Sequence, residues 1–364
     1  MGDQNMQFHP LFHSSDPVFK ALAATRKSPP CEALPISPWV AMSAMQKGVR
    51  RGNVPLALGA AAKLLNSDPG KLWRRLSGIV FEDIGLADLD CIALVLAGTS
   101  GKKVREQFGG EWAVASLLVA TMCSAKKCRA ADDLFIAISH HHELEPLRVD
   151  LARETLPQHL ARVQSRSALL GSAISVLHAS GVRWTGQVTG QASNSGALFA
   201  AIQSAGVERE IVRMSEQGFR RTWEPLPPLM ALASLAGPCG KRSAIDDEFP
   251  EVVLGRNGLP TFVLDAFSYE GKSALARFLK RNTSTARWLR RYVPAKKHMQ
   301  VLAGGIFRVE GGLVRQRVEW PAACTLRSMA DTGYHGSKLP DPSALLDTIR
   351  EDLPKLDAER GDIL

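Results

Sequence analysis

The feature that most constrains this chain is a series of helix-start signals in its first half, each followed by apolar residues at helical spacing. Asn53 precedes Pro55, Asp68 precedes Pro69, and Asp88 precedes a third apolar run. Asn and Asp side chains accept a hydrogen bond from an unpaired amide of the first turn, and proline has no N–H to leave unpaired there. The stripe behind Asp68 consists of Leu72, Trp73, Leu76, Ile79 and Val80. This spacing predicts helices.

The second half is predicted to be mixed. Thr261–Asp265 reads as a short strand, and Gly304–Trp320 reads as a β-hairpin because the pair Gly311-Gly312 can supply the positive φ angles of a two-residue turn. Asp341 is expected to begin a short helix with an acidic tail. The expected fold class is therefore mainly α, with a smaller α+β C-terminal part that contains a β-hairpin.

Shifts in composition divide the chain into five predicted parts. They are an extended, proline-rich arm (1–38), a helical domain (39–180), a linker with helices (181–240), a basic α+β domain (241–340) and an acidic C-terminal helix or tail (341–364).

Composition excludes several classes of protein. The 364 residues carry 45 Lys and Arg against 36 Asp and Glu, a formal charge of +9, and 45% are hydrophobic, which is typical of a globular chain. No apolar run approaches the ~20 residues that span a bilayer, and the N-terminus lacks the pattern of a secretory signal. The six cysteines are scattered and include no CxxC pair. We therefore expect a cytoplasmic protein with reduced thiols and no membrane partner.

Three motifs in the first half carry a family resemblance. The run from Ser43 to Arg50 has the form S-A-x-x-K-x-x-R, a helix with paired Arg74 and Arg75 follows, and residues 82–88 read E-D-I-G-L-A-D. Together they resemble the C-terminal helical region of the RarA (MgsA) replication-associated recombination ATPases, which are relatives of clamp loaders. The resemblance covers residues 40–140 and implies a clamp-loader-collar-like helical N-terminal half. Further on, Ala125 stands where the family has proline and Lys127 where it has serine.

The resemblance implies a packing or oligomerisation module and a setting in DNA maintenance. About 40 residues precede the collar-like segment, too few for an ATPase domain, so the family's activity is not expected here. Arg74, Arg75, Glu82 and Asp83 match the motif. We interpret them as structural, with carboxylates that pair with arginines at a corner between helices. A catalytic role for the carboxylates would need a partner base or a metal-ligand set, and no catalytic residue is predicted.

The strongest physical signal is the placement of charge. Residues 271–309 contain ten Lys and Arg and no Asp or Glu. Cations on one face neutralise phosphates and release counterions, and a nearby aromatic ring can stack on an exposed base. The predicted nucleic-acid-binding residues are Lys272, Arg277, Lys280, Arg281, Arg287, Trp288, Arg290, Arg291, Lys296 and Lys297. The alternatives are a solvated basic face and a surface for an acidic protein partner.

Two further motifs suggest a phosphate-binding site and a metal site. Gly271-Lys272-Ser273 has the ending of a phosphate loop, but Ala266 stands where the first glycine belongs, so an ordinary helix start is favoured. The run from His140 to Glu143 reads H-H-H-E, and adjacent helical side chains point ~100° apart, so they do not converge on one ion. We predict no metal and no cofactor.

The predicted function is that of a non-enzymatic DNA-binding accessory of replication, recombination or mobile-element maintenance. The expected partners are single-stranded or forked DNA, replication proteins and a second copy of the chain. One alternative is a protein-binding adaptor or inhibitor of a host complex. Another is a nucleic-acid-processing enzyme with Glu82, Asp83 or Lys272 at its centre.

Overall fold

A computed structural model describes residues 31–166, 168–187, 191–237, 243–336 and 338–364. These residues form 18 α-helices and one two-stranded antiparallel sheet, which confirms a mainly α fold. The helices of the first half are α1 Pro38–Arg51, α2 Val54–Ser67, α3 Pro69–Ile79, α4 Leu89–Gly98, α5 Lys102–Gln107, α6 Glu111–Ser124, α7 Ala130–His140, α8 Glu145–Leu151, α9 Leu156–Ser165 and α10 Leu169–Ser180. The later elements are α11 Ser195–Ser204, α12 Arg209–Thr222, α13 Leu226–Ala233, β1 Ala244–Ile245, α14 Tyr269–Lys280, α15 Ser284–Tyr292, α16 His298–Ile306, β2 Arg317–Val318, α17 Pro321–Gly333 and α18 Pro342–Gly361.

The helix starts of the first half lie where the caps predict them. The Asn53 side chain accepts from the Leu56 amide at 3.1 Å, Asp68 from Lys71 at 3.0 Å, and Asp88 from Cys91 at 2.9 Å. Each cap satisfies one of the amides that the first turn leaves unpaired. The helical prediction for this half is confirmed, and a π-helical turn, Val80–Ile84, follows α3.

Two hydrophobic clusters make up most of the interior. The first includes residues of α1 to α13 together with Phe262–Leu264, so it continues across residues 180 and 240. The second joins α14, α15, α16 and α18. Helix α17 packs against α7 and so connects the second half to the first. The five-part division of the chain stays a prediction.

The strand and the hairpin predicted in the second half are wrong in position. Thr261–Val263 is a 3₁₀ turn after Pro260. Residues 298–311 are α16 and a π-helical turn, and Gly312 has a φ of −93° rather than a positive one. Gly304 and Gly305 lie inside α16, where an added Cβ atom would collide with the side chain of Tyr334 just after α17 and, at Gly305, with Ile349 of α18. The glycines therefore serve close packing rather than a turn.

A small antiparallel sheet is present, but only one of its strands, β2, lies within the segment predicted as a hairpin. Strand β2 pairs with β1, so that Ala244 lies opposite Val318 and Ile245 opposite Arg317. The partner is more than 70 residues away in sequence, beyond the reach of a hairpin pattern.

The two ends of the chain also differ from expectation. Residues 1–30 of the predicted arm lie outside the described residues, and α1 already begins at Pro38 behind a Ser37 cap. The C-terminal helix is not short, because α18 has 20 residues and buries Asp352, Asp357 and Glu359. No helix in the described ranges combines the length and apolar character that crossing a membrane requires.

Candidate functional site

The exposed cations of α14, α15 and the turns after them form one candidate site, which we call the basic surface. Both helices bury their opposite faces against α18, with Leu275 and Phe278 on α14 and Ala286 and Leu289 on α15. The exposed members of the basic surface are Lys272, Arg277, Lys280, Arg281, Arg287, Arg290, Arg291 and Lys296. Packing of the apolar faces therefore leaves the cationic faces to solvent.

Helix α15 shows this division most clearly. Its exposed arginines, Arg287, Arg290 and Arg291, lie at i, i+3 and i+4, which is one face of a helix. The opposite face holds Thr285 and Leu289, both fully buried, and the Thr285 amide donates to Asp352 of α18 at 2.8 Å. The position of the three arginines is thus determined by the buried side of the same short helix.

Most cations of the basic surface have no acidic partner in the described part of the chain. Arg281 pairs with Glu359, and Arg287 donates to the Asn282 carbonyl oxygen at 3.3 Å and to Ser284 Oγ at 3.1 Å. The other six, Lys272, Arg277, Lys280, Arg290, Arg291 and Lys296, form no ion pair with any described residue. A polyanion would meet these charges without displacing a carboxylate.

The remaining residues of the predicted set differ in exposure. Trp288 and Tyr292 have ring centroids 4.9 Å apart, but Trp288 is half-buried on the second cluster, while Tyr292 is 40% exposed. Lys297 is half-buried. Arg308, the tenth cation of the segment, pairs with Asp133 at 2.9 Å and with Asp331 at 2.5 Å, so it belongs to the interior.

The family-like motif lies in a buried ion network between α1, the turn Val80–Ile84 and α7. Arg50 donates to Glu82 at 2.6 Å and to Asp83 at 2.8 Å, and Arg129 donates to Asp83 from the other side. Burial alone would raise the pKa of Asp83, but the two guanidinium groups hold it below its usual value. The carboxylates thus pair mainly with Arg50 and Arg129.

The paired arginines of α3 have a smaller part in this network. Arg75 lies 3.7 Å from Glu82, and Arg74 is exposed.

A cavity of about 630 Å³ lies beside this network, and we call it the interhelical cavity. Helices α1, α7, α14 and α16 and the loop before α14 contribute its walls. The aromatic rings that line it are Trp39, Phe135, Phe267, Phe307 and Tyr334. Polar and charged side chains on its wall include Ser43, Gln46, Lys47, Arg50, Glu82, Asp132, His140 and Asp265. The sequence analysis did not find this site.

One charged pair on the cavity wall joins the two halves of the chain. Asp265 Oδ2 accepts from Ser43 Oγ at 2.6 Å and from Lys47 Nζ at 2.9 Å, and Lys47 also donates to the Phe262 carbonyl at 2.6 Å. Burial lowers the pKa of Lys47. Burial would raise the pKa of Asp265, but the Lys47 charge and the hydrogen bonds from Ser43, Lys47 and the Phe267 amide together hold it below its usual value. The charges of Lys47 and Asp265 therefore neutralise each other.

Two titratable groups of α7 keep hydrogen-bonding capacity. Asp132, Ile136 and His140 follow at i, i+4 and i+8 and all line the cavity. Asp132 Oδ2 accepts from Arg129, whereas its Oδ1 has no partner among the described residues. Burial raises the pKa of Asp132 to about 6 and lowers the pKa of His140, which keeps the imidazole neutral at pH 7. No described residue forms a hydrogen bond to the His140 ring.

The sequence contains a local pattern that is consistent with this cavity. Ser43 and Lys47 share a face of α1 at i, i+4, and Asp132 and His140 share a face of α7 at i, i+8. Asp265, which accepts hydrogen bonds from Ser43 and Lys47, lies 218 residues from Lys47 in the sequence.

The phosphate-loop motif is an ordinary helix start. Ser268 caps α14 and accepts from the Gly271 amide at 2.9 Å, so this amide is occupied. A Cβ atom at position 271 would overlap the backbone of Asp265, which explains the glycine. Lys272 is exposed on the basic surface.

The histidines of the run from His140 to His142 do not converge on one point. His140 faces the cavity, while the rings of His141 and His142 stack at 5.1 Å. Within the described ranges, no group of three or more His, Cys, Asp or Glu side chains has the arrangement to hold a metal ion.

Comparisons with protein-family models, with curated proteins and with solved structures find no match to this chain.

Proposed function

We propose that this protein binds DNA through the basic surface, as a non-enzymatic cytoplasmic accessory of replication, recombination or mobile-element maintenance. The observation that carries the proposal is the set of six exposed cations without an ion pair to any described residue. An exposed lysine or arginine that is not already paired gains the most from a phosphate, because no internal contact is lost.

The shape of the surface favours nucleic acid over a small anion. The cations extend over two helices and the turn that follows them, and the exposed Tyr292 lies at the end of α15, where a base can stack on it. Arg291 lies over the Tyr292 ring at 5.1 Å, which favours a joint contact with base and phosphate. Single-stranded or forked DNA offers such unpaired bases.

The resemblance to the RarA collar supports the replication setting. In this proposal the helical half mediates self-association or contact with replication proteins, as the collar does in that family. The buried network of Arg50, Glu82 and Asp83 would then hold the module in shape rather than act on a substrate.

The test is fluorescence-anisotropy binding to single-stranded, duplex and forked DNA over a range of salt concentrations. The triple variant R287A/R290A/R291A is expected to bind more weakly and to lower the slope of log K against log salt. The expected decrease is about 0.9 for each duplex phosphate contact that is lost. All three side chains are exposed, so the variant is expected to keep the wild-type melting temperature.

The matched control is R209A/R213A/R220A, which removes the same charge from the exposed side of α12. It is expected to bind DNA as the wild type does. Equal weakening in both triple variants would show a general charge effect and contradict the proposed surface. A partner that is captured from a lysate after nuclease treatment, and lost only in the α15 variant, would indicate an acidic protein instead.

A further inference from the structure

The interhelical cavity has the size and lining of a small-molecule site. Its volume of about 630 Å³ falls in the range of 300–1,000 Å³ that is typical of ligand pockets. Two of its aromatic residues, Trp39 and Phe267, are 53% and 76% exposed, so their rings mark the opening. The combination of aromatic walls and a few polar groups favours a flat ligand.

The charges on the wall are already compensated. Lys47 pairs with Asp265, and Glu310 pairs with Arg360. Arg50 and Arg75 both face Glu82, at 2.6 and 3.7 Å. Asp132 pairs with Arg129. A ligand with a net charge would add an unpaired charge to this interior, which is costly without a partner. The cavity therefore favours a neutral ligand.

Two groups remain for recognition. Asp132 Oδ1 is an acceptor without a partner, and the neutral His140 ring offers one donor and one acceptor. They are eight residues apart on α7, about 12 Å along the helix axis. A carboxylate at such a wall accepts hydrogen bonds from an amino group on a heterocycle, as Asp and Glu do from the amino group of cytosine.

We propose that the interhelical cavity binds a nucleobase, either in a free nucleoside or as an unstacked base of a bound strand. The base stacks among the aromatic rings and donates from its amino group to Asp132. The sugar extends along α7 toward His140. The site does not depend on the basic surface, so its free-nucleoside form stands or falls apart from DNA binding.

The first experiment is isothermal titration of the full chain with adenosine, guanosine, cytidine and uridine. The nucleosides with an amino group are expected to bind more tightly than uridine. Asp132→Asn is expected to weaken their binding by about tenfold or more, because it replaces a charged acceptor. Adenosine monophosphate is expected to bind more weakly than adenosine, and the opposite order would overturn the neutral-ligand assignment.

A second variant tests the cavity without changing Asp132, in case Asp132→Asn fails to fold. Ala303→Phe adds a ring at a cavity-lining position of α16 and changes no charge. It is expected to abolish nucleoside binding while circular dichroism and the melting temperature show a folded protein. Asp347→Asn, on the exposed side of α18, is the matched control for the loss of one carboxylate and is expected to bind normally.

A third arm distinguishes the two sources of the base. A single-stranded oligonucleotide that contains 2-aminopurine is expected to become more fluorescent on binding if a base leaves the stack for the cavity, and Ala303→Phe is expected to remove that change. The variant R287A/R290A/R291A is expected to bind nucleosides as the wild type does, even where it fails to bind DNA. Absence of nucleoside binding together with an unchanged 2-aminopurine signal would overturn the proposal.

Discussion

Asp83 shows how one residue can hold three elements together. It is fully buried, yet its two oxygens accept hydrogen bonds from Gln46 and Arg50 of α1 and from Arg129 just before α7. Two guanidinium groups would be left partly unpaired without it. A buried ion pair adds little net stability, but the loss of one partner is costly because the other charge stays in the interior.

Asp83→Asn is therefore expected to lower the free energy of unfolding by about 3–5 kcal/mol, since the buried network loses the carboxylate that Arg50 and Arg129 share and keeps only Glu82 and Asp132 to balance them. Urea denaturation at pH 7 measures this change. The control is Asp347→Asn, which breaks the exposed pair with Arg350 and is expected to cost about 1 kcal/mol or less. A loss at Asp83 no larger than in the control would contradict a structural role for the network.

At the scale of elements, the start of α14 shows how a sequence motif can mislead. Gly271-Lys272-Ser273 has the residues of a phosphate loop, but the glycine is needed because the helix begins against the backbone of Asp265. The same Asp265 binds Lys47 and Ser43 of α1. The start of α14 thus anchors the basic surface to the cavity wall.

Gly271→Ala is expected to destabilise the protein by about 1–3 kcal/mol or more, because the added methyl group meets backbone atoms that cannot rotate away. The neighbouring Lys272→Ala, at an exposed position, is the control and is expected to leave stability nearly unchanged. Thermal unfolding followed by circular dichroism compares the two. A stable Gly271→Ala variant would show that the close approach is not required.

At the scale of the whole molecule, burial of histidines links stability to pH. His159 and His178 stack at 4.7 Å between α9 and α10, and His159 has no exposed side-chain surface. Burial and the neighbouring His178 lower the pKa of His159 to about 4, and burial lowers the pKa of His335 to about 4 as well. Glu154 and Arg162 also face His159: the Glu154 charge raises its pKa, and the Arg162 charge lowers it.

The unfolded chain binds more protons than the folded one between the ordinary histidine pKa of 6.5 and the folded value near 4. The free energy of unfolding is therefore expected to fall as the pH drops from 7 to 5, by roughly 2 kcal/mol for His159. Asp132 has the opposite effect over part of this range. Because its pKa is raised to about 6 in the folded chain, its protonation stabilises the folded protein as the pH falls below 6.

Urea denaturation at pH 7, 6 and 5 measures the slope. His159→Asn, which cannot take up a proton, is expected to show a flatter dependence whatever its absolute stability. Equal slopes for the variant and the wild type would contradict a buried neutral His159.

Charge density in the sequence did not by itself show which cations face solvent. The stretch Lys47–Arg75 is also basic, with seven Lys and Arg against one Asp, yet Lys47 and Arg50 are buried and paired. On α15, the buried Thr285 and Leu289 place Arg287 and Arg291 outside. The basic surface could therefore be predicted as a segment, while the exposure of each residue followed from packing.

The sequence by itself determined the helical class, the helix starts at Asn53, Asp68 and Asp88, and the segment that carries the basic surface. Caps and apolar periodicity depend on neighbours within a few residues, so they can be read along the chain. Only the tertiary structure decided that Gly304 packs inside a helix and that Lys47 meets Asp265 across 218 residues. Such contacts form where distant elements pack, and no local pattern specifies them.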